Sequence, residues 1–236
     1  MSAKIGVMPA RRAQQPRATT VVGLTLLLAL SAATAAGAAT TTRIRAAVGP
    51  AGVLRIAEVA PPATGVFDFD PAVSQSPEPD FSLQRLVYDS LLRVTPDGGY
   101  EPGLAEKVTV VDPQTIDIRL HRGVKFQDGT DLDANAVKFS IERNRASGSG
   151  AHRAELHAVS DVEVKDALNL TIHLAAPIAG SFFPLLASGE TYVVSPAAVQ
   201  RLGADFDQHP VGAGPFQLKE IRPDDRLVYE KWDGYF

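Results

Sequence analysis

Cysteine is absent from this chain of 236 residues. Its absence excludes disulfide staples, a thiolate nucleophile, cysteine-ligated zinc and iron–sulfur clusters. It also removes the cysteine through which many exported proteins carry a lipid anchor, so no lipoprotein is expected. Histidine is sparse: His121, His152, His157, His173 and His209 are scattered, with no HExxH and no pair at i,i+4. Such spacing supplies no preformed metal site, and no cofactor is expected. Basic charge is also scarce, 23 Lys and Arg against 27 Asp and Glu. With no Lys/Arg cluster in the acidic body of the chain, a nucleic-acid partner is not expected.

Catalytic signatures are missing too. Gly212-Ala213-Gly214 lacks the third glycine and the Lys-Ser/Thr of a phosphate loop, and Pro215 follows where a helix would start. A backbone turn explains it better. Ser147-Gly148-Ser149-Gly150 has the wrong spacing for a nucleophile elbow. Asp128, Asp131 and Asp133 lack the further oxygens and terminal Glu of a calcium loop. Non-covalent binding without catalysis is the expectation.

What is present begins with a targeting pattern. Arg11, Arg12 and Arg17 precede the uncharged apolar run Val21 to Leu30, and Ala33-Thr34-Ala35 and Ala36-Gly37-Ala38 follow. That is the order of a secretory signal, taken here as residues 1–38 and favoured over an uncleaved anchor. No acidic residue lies within it, so removing Lys4, Arg11, Arg12 and Arg17 takes the net charge from −4 to −8.

The body of the chain is organised around Leu120 to Arg143, LHRGVKFQDGTDLDANAVKFSIER. Val124 and Phe126 alternate with Lys125 and Gln127 in the period of a half-buried strand. Asp128-Gly129 is a turn signal. Asp133 stands at a helix N-cap, and Ala134, Val137 and Ile141 form the apolar stripe of the helix that follows. Before it, Leu83, Leu86, Val87 and Leu91 predict a helix, and Val108–Val110 with Ile116–Leu120 an antiparallel pair. After it come a second pair at Val162–Val164 and Leu170–Leu174, then a short apolar helix over Phe182–Leu186 interrupted at Pro184. A strand at Tyr192–Val194 and a helix capped by Ser195-Pro196 and ended by Gly203 follow. A hairpin pairs Phe216–Ile221 with Leu227–Lys231. A short strand is predicted at Val53–Ala57. Helices and strands mix without a βαβ rhythm, which gives an α/β chain of α+β type with a mixed sheet. Trp232, Tyr235 and Phe236 are read as core aromatics.

The central stretch resembles the RxGVxFxDGTxLxAxxVxFSxxR signature of family 5 extracytoplasmic solute-binding proteins, the oligopeptide-, dipeptide- and nickel-binding proteins of ABC importers. Val87-Tyr88-Asp89-Ser90-Leu91-Leu92 through Pro102-Gly103-Leu104-Ala105-Glu106, and Val211-Gly212-Ala213-Gly214-Pro215-Phe216, agree in order and spacing. The resemblance implies a type II periplasmic-binding-protein fold of two lobes closing on a solute. It divides this chain into the start of lobe I (39–71), an extra subdomain of lobe I (72–188), and lobe I continued (189–236). By that comparison the chain stops before lobe II and is a truncated, N-terminal portion. The implied partners are a peptide or other small solute and the permease subunits of the importer. The implied state is an exported monomer on the outer side of the cytoplasmic membrane.

Candidate ligand-facing residues follow from the segments that the family places at its cleft. They are Ser76, Glu78 and Phe81 in the loop after Asp70-Pro71, Arg153 after the central helix, and Ser188 and Glu190 ahead of Tyr192. The carboxylates suit a cationic amino terminus, Arg153 a carboxylate, and Phe81 apolar groups. A secreted hydrolase and a nonfunctional fragment are the alternatives. A single lobe makes no contact that distinguishes an open from a closed state. This chain by itself should therefore bind peptide weakly or not at all in titration calorimetry; micromolar affinity would contradict the half-clamshell reading.

Overall fold

The computed structural model describes residues 68–74, 80–147, 156–222 and 225–236. The signal segment, the predicted strand at Val53–Ala57 and the loop containing Ser76 and Glu78 lie outside them, as does Arg153. Helix α1 (Asp80–Val87) leads into a small ladder of β1 (Leu92–Val94) and β2 (Tyr100–Pro102). The principal sheet has the order β3-β4-β6-β5, from β3 (Ala105–Asp112), β4 (Thr115–Leu120), β5 (Val159–Val164) and β6 (Asn169–Leu174). Among the described residues every ladder is antiparallel.

Alternation decides which way the sheet faces. Ile116, Ile118 and Leu120 of β4 and Leu170, Ile172 and Leu174 of β6 are all buried. Ile116 pairs with Ile172, and Ile118 with Leu170, so their side chains meet on one face. Helix α2 (Ala134–Ala146) covers that face with Ala134, Val137 and Ile141. Asp133 caps it as predicted, its Oδ1 accepting the Ala136 amide at 2.9 Å. Lys138 and Arg145 tie the helix to β5 by donating to the carbonyls of Val162 (2.6 Å) and Val159 (2.7 Å).

The segment ahead of α2 is a tight reversal with a single bridge, Lys125 to Asp131, rather than a full strand pair. Phe126 and Thr130 close the turn at 2.9 Å, and Gly129 takes the positive φ of 86° that it requires. Val124 and Phe126 face inward as their period predicts. Gln127 departs from that pattern. Its Nε2 donates to the carbonyls of Val87, Gly214 and Phe216 at 3.1, 3.2 and 2.7 Å, and its Oε1 accepts the Gly212 amide. A side chain read as solvent-facing is thus a polar junction between three chain segments.

Beyond β6, a helical turn α3 (Phe183–Leu186) starts with Pro184 in its first turn, so this proline opens the helix instead of interrupting it. Residues Tyr192–Ser195 are extended but join no sheet, which corrects the predicted strand; their amides bond singly, Val193 to Asp89 and Ser195 to Val211. Helix α4 (Pro196–Leu202) has the predicted Ser195 cap and ends at Gly203, φ 55°. Strands β7 (Phe216–Arg222) and β8 (Arg226–Lys231) form the predicted hairpin. A β-carbon at Gly212 or Gly214 would collide with the Val87 backbone, so the glycine motif serves close packing against the end of α1.

Two apolar clusters result, one between the sheet and α2, the other joining Val87, Tyr88, Tyr192, Val194, Ala198 and Phe206. Beside the second, Arg143 of α2 grips Asp70 with both terminal nitrogens at 2.5 Å. Asp207 accepts the Phe69 and Asp70 amides at 2.7 and 2.9 Å. Burial disfavours the charged guanidinium, but the Asp70 carboxylate outweighs it and raises the Arg143 pKa. Arg143→Met would strand Asp70, which is 4% exposed, and should cost about 3 kcal/mol in urea unfolding. The double variant Asp70→Leu/Arg143→Met should cost less because no charge is left unpaired. Equal losses in the two would refute the ion-pair account.

Candidate functional site

A concave site of about 300 Å³ opens where α1, β1 and the segment 187–192 converge. Arg85, Tyr88 and Asp89 come from α1 and its end, Arg93 from β1, and Tyr192 and Tyr235 from later in the chain. Ala187 and Pro215 complete the walls. Helical spacing puts Arg85, Tyr88 and Asp89 near one face at the end of α1, and the chain then turns so that Arg93 folds back over Asp89.

Asp89 is 7% exposed and fully engaged. Its Oδ1 accepts from the Ser90 amide at 2.9 Å and from Arg93 Nε at 3.3 Å. Its Oδ2 accepts from Arg93 Nη2 and, at 3.0 Å, from the Tyr235 hydroxyl. The Arg93 Nη2 also donates to that hydroxyl at 2.5 Å, and its guanidinium carbon lies 5.9 Å from the Tyr235 ring centre and 5.7 Å from that of Phe236. Hydrogen bonding to Asp89 raises the Arg93 pKa, so the cation is held charged. Across the site, Tyr88 and Tyr192 stack at 5.8 Å. The Arg85 charge bears on the Tyr192 hydroxyl and eases its ionisation.

The tyrosines stay neutral far into alkaline conditions. Burial first, and then the Asp89 charge, push Tyr235 up to about 12. Burial does the same to Tyr192, against the opposing pull of Arg85. Tyr88 is pushed well above its ordinary value by burial and by the Asp70 and Asp207 charges. Its hydroxyl is buried and makes no hydrogen bond.

The predicted site residues fall as follows. Phe81 opens the first turn of α1, and its side chain is outside the described residues. Ser188 and Glu190 lie in a tight turn between Ala187 and Tyr192, both of which line the cleft, but neither lines it itself. The Ser188 hydroxyl donates to the Leu185 carbonyl at 2.7 Å, and the Glu190 carbonyl accepts from Asn144 at 3.0 Å. The charge of Glu190 bears on Tyr192. Sequence reasoning missed Arg85, Asp89, Arg93, Tyr192 and Tyr235. The opposite charges at Asp89 and Arg93, four apart, were the available signal. Tyr235 is half-buried and Phe236 is 46% exposed against His121, so the terminal aromatics are not the core that the sequence suggested.

A second concavity of about 250 Å³ lies on the outer face of the sheet, along Lys107, Asp117, Arg119 and Lys165. Most of its charges are paired, Lys165 with Asp117 at 2.8 Å and Arg119 with Glu106 at 2.9 Å. It reads as a solvated face. Among the described residues no group of three or more His, Asp or Glu is placed to hold a metal, and no helix is long and apolar enough to cross a membrane.

Comparison with known proteins gives these features a context. The sequence model for bacterial extracellular solute-binding proteins, family 5 middle, matches residues 99–236. The glutathione-binding protein GsiB of Salmonella paratyphi A is 35% identical over 157 residues, which are 66% of this chain and 30% of that protein. This chain thus matches less than a third of that relative's length. The Escherichia coli murein tripeptide binding protein MppA superposes with a TM-score of 0.65 at 23% identity, over 72% of this chain and 38% of that one. The binding protein MoaA of A. tumefacien R10, solved with mannopinic acid, gives 0.66 at 27% identity over 72% and 36%. Both share the type II periplasmic-binding-protein fold with this chain.

The neutral tyrosines make a pH test. In an ultraviolet titration, Tyr192 and Tyr235 should ionise near pH 12, and Asp89→Asn should move Tyr235 downward. An unfolded tyrosine ionises near 10, so the unfolded chain releases protons first; this stability is full below about pH 10 and lost between about 10 and 12. Ionisation of all tyrosines near pH 10 would contradict the described burial.

Proposed function

We propose, from the premise that this chain belongs to family 5 of the bacterial extracellular solute-binding proteins, that it serves solute capture for an ABC importer. The solute is a peptide or a related small molecule, held without covalent chemistry and handed to permease subunits. In this reading residues 1–38 direct export and are removed, and the protein works as a monomer outside the cytoplasmic membrane. Residues 39–71 and 189–236 belong to lobe I and residues 72–188 to its extra subdomain. Ser76, Glu78, Phe81, Arg153, Ser188 and Glu190 remain the proposed ligand-facing set, to which the cleft adds Arg85, Tyr192 and Tyr235.

The observation that carries the reading is the coincidence of cleft and family. Ala187, Tyr192, Pro215 and Tyr235 line a concave, tyrosine-walled site and fall inside the matched residues 99–236. Aromatic walls with a few convergent polar groups are what a small-molecule binding site needs. Glutathione and mannopinic acid, named with the relatives, are small acidic solutes of the kind that such a site accommodates.

Deleting the gene should abolish uptake of labelled di- and tripeptides supplied at micromolar concentration, and complementation should restore it. Unchanged uptake of peptides in the deletion strain would overturn the reading.

A further inference from the structure

We infer that the cleft between Arg85 and Arg93 is a carboxylate-recognition subsite, with Arg85 gripping the anionic group of the solute and Arg93 supplying a fixed second positive charge. The inference rests on the solute-capture reading and adds the charge of the solute to it.

The charges lining the cleft are Arg85 and Arg93 against Asp89. Asp89 is unavailable to an incoming cation, because both of its oxygens already accept from Ser90, Arg93 and Tyr235. Arg93 is bound to Asp89 and Tyr235 and cannot swing away, so it acts as a preset charge with an outward edge; its side chain is 37% exposed. Arg85 differs. It is exposed, has no carboxylate in ion-pair contact among the described residues, and lines the same cleft as Tyr192. A guanidinium so placed keeps most of its five N–H donors for a ligand, in the fork geometry that matches a carboxylate. Glu190 and Glu101 bear on Tyr192 and Arg93 from outside the cleft and do not line it.

The remaining surface fits the rest of such a solute. Pro215, Val94 and Ala187 present carbon to a short aliphatic skeleton, with the buried Tyr88–Tyr192 stack as the floor beneath them. At about 300 Å³ the space suits a group of a few heavy atoms, the end of a solute and not its whole length. A net single positive charge suits a monoanion. Phosphate, carrying more charge and more acceptor oxygens, would need more donors than the Arg85 guanidinium and the outward edge of Arg93 supply.

The test uses this protein labelled with nitrogen-15, following by NMR the Arg85 side-chain N–H and, in the variants as well, the Arg93 side-chain N–H and the backbone amides of the cleft residues. N-acetylglycine, N-acetylglycinamide and inorganic phosphate are titrated separately. The acid should shift the Arg85 resonance saturably in the millimolar range, and the neutral amide should bind at least about 10-fold more weakly. Arg85→Gln should erase that preference, and Arg85→Lys should keep part of it. Arg85 is exposed, so both variants should retain the wild-type amide spectrum. Absence of saturable binding, equal response to acid and amide, an unaltered preference in Arg85→Gln, or tighter binding of phosphate would each overturn the inference. Acid preference without any role in uptake would sink the import reading alone, whereas intact uptake with no acid preference would sink only the subsite.

Discussion

A largely buried ion pair between Arg143 and Asp70 is the constraint on which the arrangement depends. One partner sits near the C-terminal end of α2, the other in the turn that precedes α1. Asp207 reaches the same turn from the segment after α4 by accepting two of its amides. Such a pair adds little net stability, because both charges give up water, yet an arrangement that separated them would leave a buried charge unpaired. It therefore acts by selecting one geometry. The apolar contacts around Tyr88 and Phe206, including Arg143 over the Phe206 ring at 5.8 Å, fill in about it.

From α2 the constraint passes to the cleft through short polar links. Ser140 accepts the Val194 amide at 3.1 Å, and Asn144 donates to the Glu190 carbonyl. The segment carrying Tyr192 is thereby fixed although it belongs to no sheet. Gln127 does the same on the other side, holding the end of α1 against the glycine-containing loop. Beside Arg85 of α1 and Arg93 of β1, the site walls at Ala187, Tyr192, Pro215 and Tyr235 are thus irregular backbone, positioned in part by side chains of regular elements. That arrangement suits recognition, since irregular segments can present aromatic and charged groups at spacings that a helix or strand cannot offer.

Most of the scaffold was legible. The period-2 runs at Ile116–Leu120 and Leu170–Leu174, the Asp133 and Ser195 caps and the Asp128-Gly129 turn each depend on chemistry within a few residues, and each is observed. Tyr192–Val194 was misread because three apolar residues carry a strand's composition with no ladder to join. Gln127 was misread because alternation reports which face a residue takes, not what that face meets. Ser188 and Glu190 stand in the turn between Ala187 and Tyr192, which line the cleft, and neither lines it itself. Tyr235 was missed because it stands 142 residues from Arg93, and Arg85 and Arg93 because their four-residue spacing from Asp89 was not read as a site.

Family membership and the local elements were set by the sequence alone, because spacing, caps and turns act over short chain distances where one residue's chemistry suffices. Which charges were buried, which were left for a ligand, and which tyrosines met across the cleft were decided only by tertiary packing. Asp89 and Tyr235 are 146 residues apart, and no local rule joins them. Desolvation and hydrogen-bond closure depend on what stands nearby in space, and that is settled when distant segments are brought together.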